Sequence, residues 1–294
     1  MGKRVWIMLL VAAVFLAAGF WAYRRYKVRE PVLPGPAPTA ETPRSAAPAG
    51  RANTKGPEAS PPAAGENKTV EPPSFSPRAG EILDFAANVT KLDSTVANLT
   101  VKVAEHRNFN GESAWHLQAF AHTENPYRMV FELDDQFDSY SEASNLHSLQ
   151  YEMHLSERGQ KADSVERIVT SGKDPAPPDA AAARVLPGTR DPLGLLMFLR
   201  GVDWSRTSEV RSPVFDGHKL YDVRAVLVAK DQKVSVTSGK FTTTKIEIHV
   251  LDNGSEMKDA HFLLYIAEVA DRLPVLMEAV LPVATVRVEL TKVR

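Results

Sequence analysis

Leu99-Thr-Val-Lys-Val-Ala104, then Asn110-Gly111, then Trp115-His-Leu-Gln-Ala-Phe-Ala-His122: these three pieces, in this order, decide the fold. In the first, Leu99, Val101 and Val103 alternate with Thr100, Lys102 and Ala104. In the last, Trp115, Leu117, Ala119 and Ala121 alternate with His116, Gln118, Phe120 and His122. A period of two sends successive side chains to opposite faces of a strand. Asn-Gly between two such runs accommodates positive φ at both residues, which a tight hairpin requires.

The pattern recurs along the chain. Asp216-Gly217 precedes Tyr221, Val223, Ala225 and Leu227, set against Asp222 and Arg224. Asp252-Asn-Gly-Ser255 joins Ile246, Ile248 and Val250 to Phe262, Leu264 and Ile266. Near the end, Val286, Val288 and Leu290 alternate with Arg287, Glu289 and Thr291. One dry and one wet face is the signature of antiparallel sheets. The expected fold is therefore mainly β. Residues 131–145 read equally as strand or helix, and residues 174–183 as a loop.

One segment departs from the alternation. Asp191-Pro-Leu-Gly-Leu-Leu-Met-Phe-Leu-Arg-Gly201 has an N-capping aspartate, proline at the first helical position and a closing glycine. It is apolar on every side. A short helix of this kind is buried on most faces or lies against the concave side of a curved sheet.

Ahead of the β segments stand two compositionally different zones. Residues 5–23 (Val5 to Tyr23) carry no charge and are flanked by Lys3 and Arg4, and by Arg24, Arg25, Lys27 and Arg29. At about 1.5 Å per residue, a helix of that length covers a bilayer core of roughly 30 Å. The run exceeds the ~7–15 residues of a signal-peptide core. Trp6, Trp21 and Tyr23 sit where rings favour the headgroup layer. A retained anchor within residues 1–30 is preferred to a cleaved signal. A strict count of the basic flanks puts the large domain in the cytoplasm by a narrow margin, whereas a short basic stub followed at once by an apolar run is the usual form of an export signal, and the exported side is preferred. Residues 31–78 hold 12 of the 21 prolines and one aromatic residue, Phe75. Such a segment is expected to be a disordered spacer, spanning very roughly 40 Å as a coil and up to ~150 Å when stretched. Residues 79–294 suffice for one β domain. The net charge of −1 gives no footprint for nucleic acid, and the chain has no cysteine.

The order of short segments resembles a known family. Gly80-Glu-Ile-Leu-Asp-Phe85, Phe137-Asp-Ser-Tyr140, Asp191-Pro-Leu through Phe198-Leu-Arg200, Phe215-Asp-Gly-His-Lys-Leu-Tyr221, Gly239-Lys-Phe-Thr242 and Arg272-Leu-Pro-Val275 follow one another as in the bacterial exported family catalogued as domain of unknown function 3108. The likeness covers residues 79–292. It implies an exported, β-rich envelope protein built on a strongly curved antiparallel sheet, a half-barrel or open barrel, similar to the lipoprotein carriers of the envelope.

Candidate chemistry is sparse. His116 and His122 lie six residues apart, nearly 20 Å along a strand at ~3.3 Å per residue, too far for one metal ion. Asp134, Asp135 and Asp138 resemble a calcium-loop fragment but lack its glycine and twelfth-position glutamate, so a solvated acidic turn is expected. No nucleophile elbow or phosphate-binding loop is present, and no cofactor is implied. Glu278 reads as an inward carboxylate or, more simply, as the wet face of an edge strand. Leu195, Leu196, Met197, Phe198 and Leu199 are core residues or the floor of a cavity adapted to acyl chains. Arg200 follows them as a contact for an anionic headgroup, or as a cation placed against the helix C-terminal dipole.

The expectation is a non-enzymatic protein of the bacterial inner membrane, single-pass, with its folded domain in the periplasm. It would bind a lipid or lipoprotein acyl chain. The alternatives are an interaction module of an envelope assembly, or an enzyme on envelope polymer or lipid whose paired carboxylates face each other across a cleft.

Overall fold

The computed structural model describes residues 75–90, 92, 94–170, 182–257, 261–281 and 284–294. The anchor read over residues 1–30 and the spacer up to residue 74 lie outside the described residues. Among the described residues no helix is long and apolar enough to cross a membrane.

Among the described residues fourteen strands form one sheet. In chain order they are β1 (Ile82–Val89), β2 (Thr95–Phe109), β3 (Glu112–Thr123), β4 (Asp134–Glu142), β5 (Ser148–Glu157), β6 (Gln160–Thr170), β7 (Ala182–Val185), β8 (Glu209–Phe215), β9 (Leu220–Val236), β10 (Gly239–Asp252), β11 (Ser255–Glu256), β12 (His261–Ala267), β13 (Pro274–Val280) and β14 (Thr285–Val293). Among the described residues one α-helix, α1 (Pro192–Gly201), joins β7 to β8. The spatial order is β7-β6-β5-β4-β3-β2-β1-β14-β13-β12-β10-β9-β8, with β11 paired to β10 alone.

The hairpins form where the sequence places them. Asn110 and Gly111 adopt φ of 52° and 94° at the β2–β3 turn. The ambiguous stretch from 131 contains β4, so strand prevails there. Two expectations need correction. The sheet is not wholly antiparallel, because β7 pairs with β6 in parallel. Ala182 and Ala183, read as loop, belong to that strand.

The sheet is curved and unclosed. Its terminal strands β7 and β8 are not paired to each other, yet the sheet coils far enough for its two ends to meet. Arg190 bridges to Val214 of β8, while the Thr189 carbonyl accepts from Ser148 N of β5 at 3.0 Å. Gly217, in the β8–β9 turn, sits so close to β5 that a Cβ there would lie 2.5 Å from Met153 Cε. The β9–β10 hairpin also curls over, so that Ser238 N donates to Leu290 O of β14 at 3.2 Å.

Because neighbouring strands run oppositely, the connections fall on two rims. The links β1–β2, β3–β4, β5–β6, β8–β9, β10–β12 and β13–β14 lie on one rim, here the upper. The links β2–β3, β4–β5, β9–β10 and β12–β13 lie on the lower rim, with Glu81 and the C-terminal residues. The concave face carries the core: Leu83, Phe85, Val101, Leu117, Phe137, Tyr151, Ile246, Leu264, Met277 and Val288 are all buried.

Candidate functional site

The helix begins inside the concave face. Asp191 is fully buried and caps it, its Oδ1 accepting from Leu193 N and Gly194 N at 2.9 Å each. Its Oδ2 accepts from the hydroxyl of Ser139 at 2.6 Å and from that of Ser148. Both serines lie on the inward face of β4 and β5. Burial pushes the Asp191 carboxyl up, and these four donors work against that shift. Next to it, the Arg190 guanidinium lies over the Phe198 ring at 3.7 Å and donates to Ser212 Oγ and Asn145 O. Burial pulls its pKa down to about 10.

The helix ends at the lower rim, on the other side of the barrel. Arg200 is fully buried and pairs bidentately with Glu81, Nη1 to Oε2 at 2.7 Å and Nη2 to Oε1 at 2.9 Å. It also donates to the carbonyls of Asp271 and Arg272, and its guanidinium lies 4.5 Å from the centre of the Phe75 ring. Arg272 in turn caps the helix, donating to Val202 O at 2.8 Å and Gly201 O at 3.1 Å. Arg200 therefore faces inward to Glu81. The external headgroup contact read from the sequence has no exposed atom to make it.

Between this helix and the concave faces of β8–β10, β12 and β13 lies a cavity of about 170 Å³. Leu195, Leu196 and Leu199 form its helical wall, facing Val223, Ile248, Phe262 and Met277 on the sheet. Asp216, Tyr221 and the part-exposed Met257 stand at its upper-rim side. An apolar void of roughly 150 Å³ stays dry and takes up a benzene-sized solute, so this one admits a stretch of hydrocarbon. Three of the five stripe residues thus line the cavity. The other two fill core: Met197 is fully buried beneath Arg200, and Phe198 lies under Arg190.

The remaining candidates do not converge. His116 hydrogen-bonds Asp138 at 2.7 Å, and His122 bonds Glu124 at 3.1 Å. Asp138 is buried on the convex face among His116, Gln118 and Gln136. Asp134 pairs with Arg128, whereas Asp135 points inward, so the solvated acidic turn read from the sequence is instead strand β4, with two of its three aspartates buried on opposite faces. Among the described residues no group of three or more His, Asp or Glu is arranged to hold a metal ion. Glu278 borders the cavity, but β13 is an interior strand. Its carboxylate meets Tyr265 at 3.0 Å and Arg287 at 3.1 Å on the convex face.

Sequence reasoning missed Glu81, Ser139, Ser148 and Asp216. The signal was parity. Glu81 shares the register of Leu83, Phe85, Ala87 and Val89, and Ser139 that of Phe137. A polar residue on the dry parity of a strand needs an internal partner.

The sequence pattern of a family described as "Protein of unknown function (DUF3108)" matches residues 85–291. The chain belongs to the DUF3108 family. No curated protein matches it. Among solved structures, this DUF3108 domain is similar to a β-barrel-like protein of the DUF1849 domain from Brucella abortus, with 11% identity and a TM-score of 0.48 over 73% of this chain and 97% of that one. It is also similar to a candidate lipoprotein from Parabacteroides distasonis, with 10% identity and a TM-score of 0.36 over 76% and 99% of the two chains. A candidate exported protein with a YmcC-like fold from Bacteroides fragilis shows 11% identity and a TM-score of 0.30 over 76% and 99%.

Proposed function

We propose that this DUF3108 protein is a non-enzymatic binder of the bacterial envelope that takes an acyl chain, from a lipid or a lipoprotein, into the cavity beside α1. The observation that carries the reading is the cavity itself. A helix fixed at both ends leaves an apolar gap above Leu195, Leu196 and Leu199 on only one side. The apolar run at residues 5–23 supports an inner-membrane anchor, and the proline-rich stretch after it supports a tether to a periplasmic domain. The carboxylates of Asp191 and Glu81 are committed to the helix cap and to Arg200, which favours binding over catalysis.

The test is to purify the full-length chain and identify the amphiphiles that accompany it by mass spectrometry of an organic extract. The expected result is a stoichiometric acyl compound that is lost in Leu195→Trp, whose indole fills the gap. An extract matching that of an unrelated membrane protein overturns the reading. A second reading, a protein-docking module, is favoured by Met129 and Val130, which are 85% and 65% exposed in the β3–β4 link. Crosslinking in cells separates the two: lipid adducts support the first, and a single stoichiometric protein partner supports the second.

A further inference from the structure

The lining of the cavity also bears on the polar end of its ligand, an inference that rests on the binding reading above. Among the described residues no lysine, arginine or histidine lines the cavity, and its inward polar groups are Asp216 and Tyr221. Asp216 is only 4% exposed. Its Oδ1 accepts from the backbone N–H groups of His218 and Lys219 at 2.8 and 2.7 Å, and the Tyr221 hydroxyl bonds to the same carboxyl. The Lys219 ammonium is drawn to Asp252. Burial pushes the Asp216 carboxyl up, and the two turn N–H groups, the exposed His218 beside it and the Tyr221 hydroxyl work against that shift. The upper end of an otherwise apolar chamber is thus marked by one buried carboxyl group.

We infer that the cavity accepts a hydrocarbon chain whose polar end is uncharged or cationic, such as an alcohol, ester or ammonium amphiphile, and rejects a carboxylate or phosphate at that end. A hydroxyl or ammonium drawn up beside Asp216 donates a hydrogen bond to it. A second carboxylate in the same place sets two like charges together where little water screens them and none of the described lining residues is a cation.

The experiment uses the full-length chain in its own membrane vesicles and three alkyl probes of equal length. Each carries a photoreactive diazirine in the chain, and they end in a hydroxyl, an ammonium or a carboxylate. Adducts are mapped by peptide mass spectrometry. The hydroxyl and ammonium probes are expected to label the peptides containing Leu195–Leu199 and Val250–Met257 about 10-fold more than the carboxylate probe. Asp216→Asn keeps an acceptor for the two turn N–H groups and removes the charge. It should raise carboxylate labelling to the level of the hydroxyl probe, with an unchanged melting temperature confirming the fold. Equal labelling of the wild-type chain by carboxylate and hydroxyl probes overturns the inference, as does an Asp216→Asn variant with an unaltered ratio. Failure of all three probes to label these peptides overturns the binding reading, and this inference with it.

Discussion

The two flanks of α1 meet the sheet in opposite ways. Toward β4 and β5 the fit is closed: a Cβ on Gly194 would stand 3.0 Å from Ser141 Oγ and 3.1 Å from Leu146 O. Toward β8–β10, β12 and β13, Leu195, Leu196 and Leu199 leave about 170 Å³ unfilled. Both flanks belong to one ten-residue helix. The difference comes from what holds that helix. Asp191 locks it to two serines at one end, and Arg200 locks it to Glu81 at the other. With both ends fixed by polar contacts, the helix cannot slide to close the gap as an apolar helix on an apolar sheet would. Protein interiors otherwise close such voids to near-crystalline density, so fixing the helix preserves a space that hydrophobic collapse would remove.

The largest test of this contrast is Arg200→Met. It leaves the Glu81 carboxylate buried without its cation, a loss of roughly 3–5 kcal/mol in urea unfolding. The double variant Glu81→Met with Arg200→Met should recover most of that stability while releasing the helix to settle into the gap. A double variant that remains as unstable as the single one would mean that the apolar surroundings, and not the charge, fix the helix end.

Gly194→Val probes the closed flank. The added carbons meet Ser141 and the Leu146 backbone, and overpacking costs about 1–3 kcal/mol. The matching change on the open flank, Leu195→Phe, should shift stability by less than about 0.5 kcal/mol, because its ring enters existing space. Equal costs for the two substitutions, measured by thermal melts, would erase the contrast.

Asp135 gives a pH-dependent version of the same comparison. It lies on the closed side, its Oδ1 accepting from Ser156 N at 2.9 Å while its buried Oδ2 has no partner. Burial lifts its pKa from 3.8 to about 7. The folded chain therefore holds a proton that the unfolded chain gives up. The stability tied to that proton is complete below pH 3.8 and disappears as the pH rises through about 7. Asp135→Asn should match wild type at low pH and exceed it by up to roughly 4 kcal/mol at pH 8. Urea midpoints for both chains at the two pH values check this; a constant offset would remove Asp135 as the cause.

How much of this the sequence disclosed follows from what alternation encodes. Leu99–Ala104, Trp115–His122, Tyr221–Leu227 and Val286–Leu290 each declare one dry face, and each lies within a strand. The capping pattern at Asp191 and Pro192 marked the helix. Pairing order was not legible, because β1 beside β14 joins residues about two hundred positions apart and no local pattern records that. β7 was missed because four residues of alanine, arginine and valine show no alternation. In the site, the apolar stripe was visible, but which of its members face a gap depends on where the helix is pinned. The ion pair of Arg200 was not legible because its partner sits 119 positions earlier.

That long-range partnership sets where the folded unit can be cut. A fragment starting at Ile82 would keep every strand and still strand a guanidinium in oil, lacking both the carboxylate of Glu81 and the ring of Phe75. The shortest self-sufficient piece of this protein must start upstream of Phe75, although the first strand opens seven residues later at Ile82.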